Sequence, residues 1–390
     1  MRRQMDLEDT EEEQAFREEV RTWLRANIPR PPLPSTGTRE GFEAHRAWEQ
    51  ALSLAGYGAI GWPREYGGRG ADVVMQAIFE EEYLLANGPE RITVVGQKLM
   101  GPTLMAHGTS EHRGRWLPGI LSGEVIWSQG FSEPDAGSDL AGLKTSAVAD
   151  GDHFVVNGQK IWTSYGAFAD WMFALVRTDP TAGRHDGITF LAIDMAADGV
   201  EARPITQVDG HAGFAEVFFS DARIPAANVV GDVGGGWVVA MTTLAAEREA
   251  PARPAARYLH DIDELAAVAR ARGVDGDPVV LDRLGSLLVR AEAYRRHTQR
   301  SLTRLARGES LGAEASVAKL LWSELERDLF EAGRDLMGPY GEVVSGESLV
   351  DDATDWNSRY WFARAATIYA GTSEIQRNVV AERLLGLPKG

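Results

Sequence analysis

Between residues 125 and 230 the chain changes its hydrophobic period, and this change limits the possible folds more than any other feature. β-Branched and aromatic residues come there in short runs, at 153–156, 161–164, 171–176, 188–193 and 216–219, the signature of strands. Asn157-Gly158 separates the first two runs and predicts a two-residue hairpin, because a type I′ turn requires positive φ at both central positions. On either side the period is helical. Over 11–26, Phe16, Val20, Trp23 and Leu24 recur on one face until Pro29, Pro31, Pro32 and Pro34 stop the helix. Further helices are expected at 43–55, 73–86 and 112–121, divided by turns such as Trp62-Pro63 and Gly67-Gly68. Beyond the glycine cluster from Gly231 to Gly236, helical spacing returns over 237–248, and Val317, Leu321, Leu325 and Leu329 step by four. The expectation is an α+β multidomain chain: a helical domain over 1–124, a β domain over 125–232 and a second helical domain over 233–390.

Composition narrows the functional classes. With 40 basic and 57 acidic residues the formal charge is 40 − 57 = −17, the wrong sign for a chain whose partner is a phosphate backbone, so no nucleic acid is expected. The absence of cysteine removes disulfides, thiolate catalysis, iron–sulfur clusters and cysteine zinc sites, and it suits a reducing compartment. The charged start and the lack of any apolar run of ~18 residues predict no signal peptide, no membrane span and a cytoplasmic location.

Several familiar chemistries fail on spacing. Residues 137–145 approach a P-loop, but Leu143 stands where lysine must follow the second glycine. No G-x-G-x-x-G follows a strand, and no H-E-x-x-H or G-x-S-x-G occurs. The eight histidines are scattered, and the nearest pair, His107 and His112, reads as packing rather than metal ligation, so no metal is expected. Three polar, glycine-bearing segments remain. The first, 127–139, reads as an irregular stretch whose small residues allow close approach to a flat ligand. The second, 160–166, sets the indole of Trp162 beside the hydroxyls of Thr163 and Ser164; such an indole suits either a core or a ring cofactor. The third, 369–377, precedes a helix that Ser373 and Gln376 could open by their capping-box spacing.

In this order the segments carry Phe131-Ser132-Glu133-Pro134-x-Ala136-Gly137-Ser138-Asp139, Asn157-Gly158-x-Lys160-x-Trp162 and Tyr369-Ala370-Gly371-Thr372-Ser373-Glu374-Ile375-Gln376-Arg377. On these motifs the chain resembles the acyl-CoA dehydrogenase flavoproteins over nearly its full length. The resemblance implies a β-barrel-like middle domain between a helical domain and a C-terminal four-helix bundle. It also implies FAD as cofactor, bound between the β domain and the C-terminal helices and often completed by a neighbouring subunit. Gln129, Phe131, Ser132 and Ser138 would then line the flavin. Trp162 would cover the ring, Thr163 and Ser164 would donate near its reactive nitrogen, and Gly371, Thr372 and Glu374 would meet the cofactor from the C-terminal side. Ser138, Arg248 and Ala370 would touch the acyl-CoA substrate, and an electron-transfer flavoprotein would take the electrons.

The implied reaction is removal of an α-proton by a carboxylate with transfer of a β-hydride to the flavin, giving a 2-enoyl thioester. Many members carry the carboxylate directly after the tyrosine of the third motif, where this chain has Ala370. Others supply it as a Glu-Arg pair on the first helix after the β domain, which assigns the base here to Glu247, followed by Arg248. Ala370 retains its N–H for the thioester carbonyl, and its small side chain favours a branched or bulky acyl group. In its ending from Tyr369 to Pro388 the chain resembles members of the family that form heteromeric pairs and act on bulky steroid side chains, which implies a steroid side-chain-like acyl group. Two positions depart from the family pattern. The segment 270–277 lacks the phenylalanine of an Arg-x-Phe-Gly contact, and Asp335 stands where a glutamine often meets FAD. They leave open a homo-oligomer or a heteromer with a related chain, and Asp335 together with Ala370 leaves open a non-catalytic partner subunit. The family resemblance also admits an oxidase or flavin monooxygenase of the same fold.

Overall fold

The computed structural model describes residues 9–249, 254–342 and 353–389, and the side chains of these except at 246–249 and 353–355. In chain order the first helices are α1 (Glu11–Asn27), α2 (Arg39–Leu54), α3 (Val73–Leu85), α4 (Gly101–His107), which continues a π-helical turn over Val95–Met100, and α5 (Ser110–Ser122). Seven strands follow: β1 (Trp127–Gly130), β2 (Ser146–Asp150), β3 (His153–Ser164), β4 (Trp171–Arg177), β5 (Ile188–Asp194), β6 (Val200–Ile205) and β7 (Phe214–Pro225). The chain then returns to helix with α6 (Gly236–Glu249), α7 (Ala255–Ala271), α8 (Pro278–Ala306), α9 (Ala315–Met337), α10 (Ala353–Ala366) and α11 (Ser373–Val379).

Contacts divide these elements into two compact units, one of residues 1–28, 72–88 and 251–390, the other of 29–71 and 89–250. In the first, α7, α8, α9 and α10 form the four-helix bundle. Tyr258, Tyr294, Leu325, Leu329, Phe330 and Trp356 fill its core. Of the residues stepping by four on α9, Leu325 and Leu329 are fully buried, as an apolar stripe at helical spacing requires. Helix α1 is opened by a capping box between Thr10 and Glu13 and is tied to α3 by charge, Arg17 and Arg21 both donating to Glu82.

In the second unit the strands form one curled sheet in the order β1-β4-β2-β3-β7-β6, with β5 paired to β4. Helices α4, α5 and α6 share a core with β1, β4 and β5, in which Trp116, Trp127, Phe173 and Phe190 are buried. The turn between β2 and β3 is Gly151-Asp152, since Asp150 pairs with His153, and Gly151 has φ +64°. The hairpin expected at Asn157-Gly158 does not form. That pair lies inside β3 at a register shift against β7, where Asn157 exchanges two hydrogen bonds with Asp221. Glycine is required at 158 for a different reason: a Cβ there would sit 2.6 Å from the Thr145 hydroxyl. The position allows close approach of two chains rather than a reversal. The short strand β1 opens the segment expected to be an irregular stretch.

Among the described residues no helix is long and apolar enough to cross a membrane. No cluster of three or more His, Asp or Glu among them could hold a metal ion. His112 accepts the Thr109 N–H at Nδ1 and donates from Nε2 to the Ala227 carbonyl at 2.7 Å, and His107 bonds the Thr242 hydroxyl at 2.8 Å, both as packing groups.

Candidate functional site

The second unit brings two of the three polar segments together at the end of β3. The register of β3 against β7 runs evenly from Gly158, opposite Phe219, to Lys160, opposite Val217, and resumes at Thr163, opposite Ala215. The extra residue is absorbed at Ile161-Trp162, and Trp162 takes φ +59°, a left-handed conformation that a bulky residue adopts only when its surroundings impose it. The bulge changes which side chains point inward. Lys160 and Thr163 are both fully buried, and Trp162 between them is turned out, 56% exposed, its indole edge-on to Phe214 at 6.1 Å. An indole this exposed, standing on a strained backbone, is a presented surface rather than core.

Beside it the Thr163 hydroxyl is buried with no hydrogen-bond partner among the described residues. A buried, unpaired hydroxyl costs about 1–3 kcal/mol, so native structures keep one where a ligand or water completes it. Ser164 is half-buried. An aromatic face, an uncommitted donor and an adjacent hydroxyl fit a flat heteroaromatic ring bearing hydrogen-bond acceptors, the chemistry of a flavin.

The 129–138 segment faces the same strand. The Ile161 N–H donates to the Ser132 carbonyl at 3.0 Å, and Glu133 and Ala136 bond each other across a tight turn. Gln129 and Ser132 are half-buried and Ser138 is exposed. The Phe131 ring lies in the core, edge-on to Phe173 at 5.5 Å, so a ligand here would meet this residue through its backbone. Gly130 packs closely on Met172: a Cβ there would lie 2.4 Å from the Met172 sulfur, and that side chain would have to shift.

One ion pair joins the segment to the strand. The fully buried Lys160 ammonium donates to Glu133 at 2.8 Å and to the Phe131 carbonyl at 3.3 Å. Glu133 also accepts the backbone N–H groups of Lys144 at 2.7 Å and Thr145 at 2.9 Å. Burial pushes the Glu133 carboxyl up, but the Lys160 charge and these hydrogen bonds outweigh it and hold the group below the ordinary glutamate range. Burial pulls Lys160 down to about 8 against the pull of Glu133. Sequence reasoning gave neither residue a role. The available signal was their presence in the two motifs.

Helix α6 belongs to the same unit. Thr243 and Thr242 bond Thr103 and His107 of α4, each at 2.8 Å, which fixes the rotation of α6. Glu247 follows Thr243 by one turn in the backbone of α6, and its side chain and that of Arg248 lie outside the described residues.

The third polar segment lies in the bundle unit and is described by itself. Ala370 has φ +53° and Gly371 φ +85°, and the Gln376 amide donates to the Ala370 carbonyl at 3.0 Å, holding this left-handed pair. The N-cap of α11 is Thr372, which accepts the Ile375 N–H; the cap therefore sits one residue before the expected Ser373. Glu374 and Ala370 are exposed. The buried Lys319 donates to the Ala366 carbonyl at the end of α10 and lies 4.8 Å from the centre of the Tyr369 ring. Asp335 is paired with Arg283 at 2.7 Å, so its charge is already offset within the bundle.

Three family models match the chain: Acyl-CoA dehydrogenase, N-terminal domain, over residues 10–124; middle domain, over 128–222; and C-terminal domain, over 234–385. Acyl-CoA dehydrogenase IpdE1 of Mycolicibacterium smegmatis is 40% identical over 395 residues, covering 97% of this chain and 98% of its own. IpdE1 of Mycobacterium tuberculosis is 40% identical, covering 98% and 99%. Among solved structures, the Tcur3481-Tcur3483 steroid ACAD aligns with a TM-score of 0.88 at 32% identity, over 99% of this chain and 100% of the other. The ChsE4-ChsE5 complex from Mycobacterium tuberculosis aligns with a TM-score of 0.84 at 31% identity, over 99% and 100%.

Proposed function

Because this chain belongs to the acyl-CoA dehydrogenase family, flavin-dependent oxidoreductases acting on CH–CH bonds, we propose that it binds FAD and desaturates the α,β bond of a bulky acyl-CoA. The observation that carries the cofactor assignment is the orphaned Thr163 hydroxyl beside the outward-turned Trp162. When bound, FAD supplies the acceptor for the β-hydride. Trp162 covers the ring, Thr163 and Ser164 donate toward it, and Ser132 and Gln129 line its polar side. Donors at that edge stabilise the negative charge that arrives with the hydride. Gly371, Thr372 and Glu374 are assigned to the cofactor, and Ser138 and Arg248 to the substrate.

Glu247 takes the α-proton. The pins at Thr242 and Thr243 support this assignment, since a base must be held at a fixed rotation to reach one hydrogen. The Ala370 N–H is assigned to the thioester carbonyl, where it stabilises the enolate-like charge. The methyl side chain at 370 leaves room for a branched or polycyclic acyl group, and the similarity to a steroid ACAD supports the same substrate class. The electrons pass on to an electron-transfer flavoprotein.

Pairing with a related chain is a second reading. Both structural relatives named above are pairs, Tcur3481-Tcur3483 and ChsE4-ChsE5, and this chain lacks the Arg-x-Phe-Gly contact after α7. The test is Glu247→Gln in the FAD-loaded protein, alone and with its co-purified partner if one is present. Turnover with steroid side-chain CoA thioesters is expected to fall by about 10²–10⁴ with FAD content unchanged. Full turnover by the variant would remove Glu247 as the base. Turnover that tracks only the partner's glutamate would make this chain a non-catalytic subunit.

A further inference from the structure

The Lys160–Glu133 pair has no part in the proton or hydride steps, yet both of its charged groups are buried in the sheet unit. Such a pair gives little stability over an apolar replacement, because desolvating two ions offsets most of their attraction. Its connections show what it organises. Lys160 is the last evenly paired residue before the bulge that turns Trp162 out and Thr163 in. Its ammonium reaches across to the Phe131 carbonyl and to Glu133, one residue on either side of Ser132. Glu133 then fastens the chain just ahead of β2 through the Lys144 and Thr145 N–H groups. Four bonds from two charges therefore fix the 131–136 turn against the strand end, and the Ile161-to-Ser132 bond lies inside that frame.

We propose that Lys160 and Glu133 are a positioning pair that pre-builds the flavin-facing wall, setting Ser132 against Trp162 and Thr163 before any cofactor arrives. The inference rests on the FAD reading above and adds two residues that touch neither substrate nor cofactor. A pre-built wall lowers the ordering cost of binding, so the pair acts on cofactor affinity and on flavin electronics rather than on substrate affinity.

The test compares wild type, Lys160→Met, Glu133→Gln, the double variant and the conservative Lys160→Arg. For each, the FAD dissociation constant, the flavin reduction potential and the induced visible circular dichroism of the bound flavin are measured, with folding monitored by far-UV circular dichroism. Each single variant that removes a charge leaves the other buried without its partner and is expected to weaken FAD by about ten- to a hundredfold and to shift the flavin spectrum. The double variant, with no unpaired charge, is expected to recover most of the affinity, and Lys160→Arg, which keeps the charge, to recover part of it. Single variants that fold and bind FAD with wild-type affinity and an unchanged spectrum would overturn the proposal. If neither single variant folds, hydrogen exchange on the wild type decides. The Glu133, Ala136, Lys144, Thr145 and Ile161 amides should be protected before FAD is added; protection that appears only with FAD would refute pre-building. A wild-type chain that binds no FAD refutes the cofactor reading instead, and the same exchange measurement still reports on the pair.

Discussion

Two carboxylates, one in each unit, are buried to the same degree and respond in opposite ways. The side chains of Glu133 in the sheet unit and Asp261 in the bundle are 7% and 6% exposed. Glu133 is held below the ordinary range because its ammonium partner lies at 2.8 Å and two backbone donors complete it. Asp261 is pushed up to about 6: burial dominates, and Arg257 at 3.7 Å and Arg359 at 3.2 Å are too loosely placed to offset it. One of its oxygens has no hydrogen-bond partner among the described residues. Burial alone therefore does not mark a tuned group; what separates the two is the number and geometry of donors. The complete constellation adjoins the presented indole, and the incomplete one lies between helices of the bundle.

Breaking the stronger constellation should have the largest effect. Lys160→Met is expected to lower stability by about 3–5 kcal/mol, read from the urea midpoint of the sheet unit by hydrogen exchange, because it strands the Glu133 charge. A loss below about 1 kcal/mol would erase the contrast between the two carboxylates. The reverse change in the bundle should stabilise. Asp261→Asn removes a charge that the fold disfavours and is expected to raise stability at pH 7 by on the order of 1–3 kcal/mol.

The pH dependence sharpens the same point. Because the folded value of Asp261, about 6, lies above its ordinary 3.8, its favourable contribution is fully present below 3.8 and is lost as pH rises through about 6. The advantage of the Asp261→Asn variant over wild type should therefore be constant well above pH ~6 and shrink in acid, as thermal melts across pH ~4–8 would record. An advantage that grew toward acid would contradict the raised value.

A smaller effect is expected at the presented wall. Thr163→Val removes a buried hydroxyl that has no partner among the described residues and should stabilise the FAD-free protein by about 1 kcal/mol while weakening FAD. Opposite signs in the two states, measured by melting with and without FAD, identify a donor kept for a ligand; equal signs would make it ordinary packing. Trp162→Ala should change FAD-free stability by no more than about 0.5 kcal/mol, since the indole is mostly exposed, yet alter the flavin absorption.

Much of the helical architecture was legible because amphipathic spacing and capping are local. The expected ends of the first helix, and the start at Val73, fall within a residue of α1 and α3. The sheet was harder. Strand β6, Val-Glu-Ala-Arg-Pro-Ile, has no apolar run, and its pairing with β7 alone makes it a strand. Asn157-Gly158 carried a strong local turn signal that the approach of Thr145 overrode. At the site, Trp162 was open to a core or a ring-cover reading from sequence, and the bulge that decides its direction depends on β7, about 50 residues away along the chain. Lys160 could not be read as buried, because its partner lies 27 residues back and lysine in a strand ordinarily faces water.

The most direct measurement is the visible absorption spectrum of the chain purified alone and after incubation with FAD. Flavin bands at about one FAD per chain, with vibronic structure from a ring held against Trp162, are the predicted result. A folded protein that stays colourless and takes up no added FAD would contradict the assignment of a flavin site to this chain.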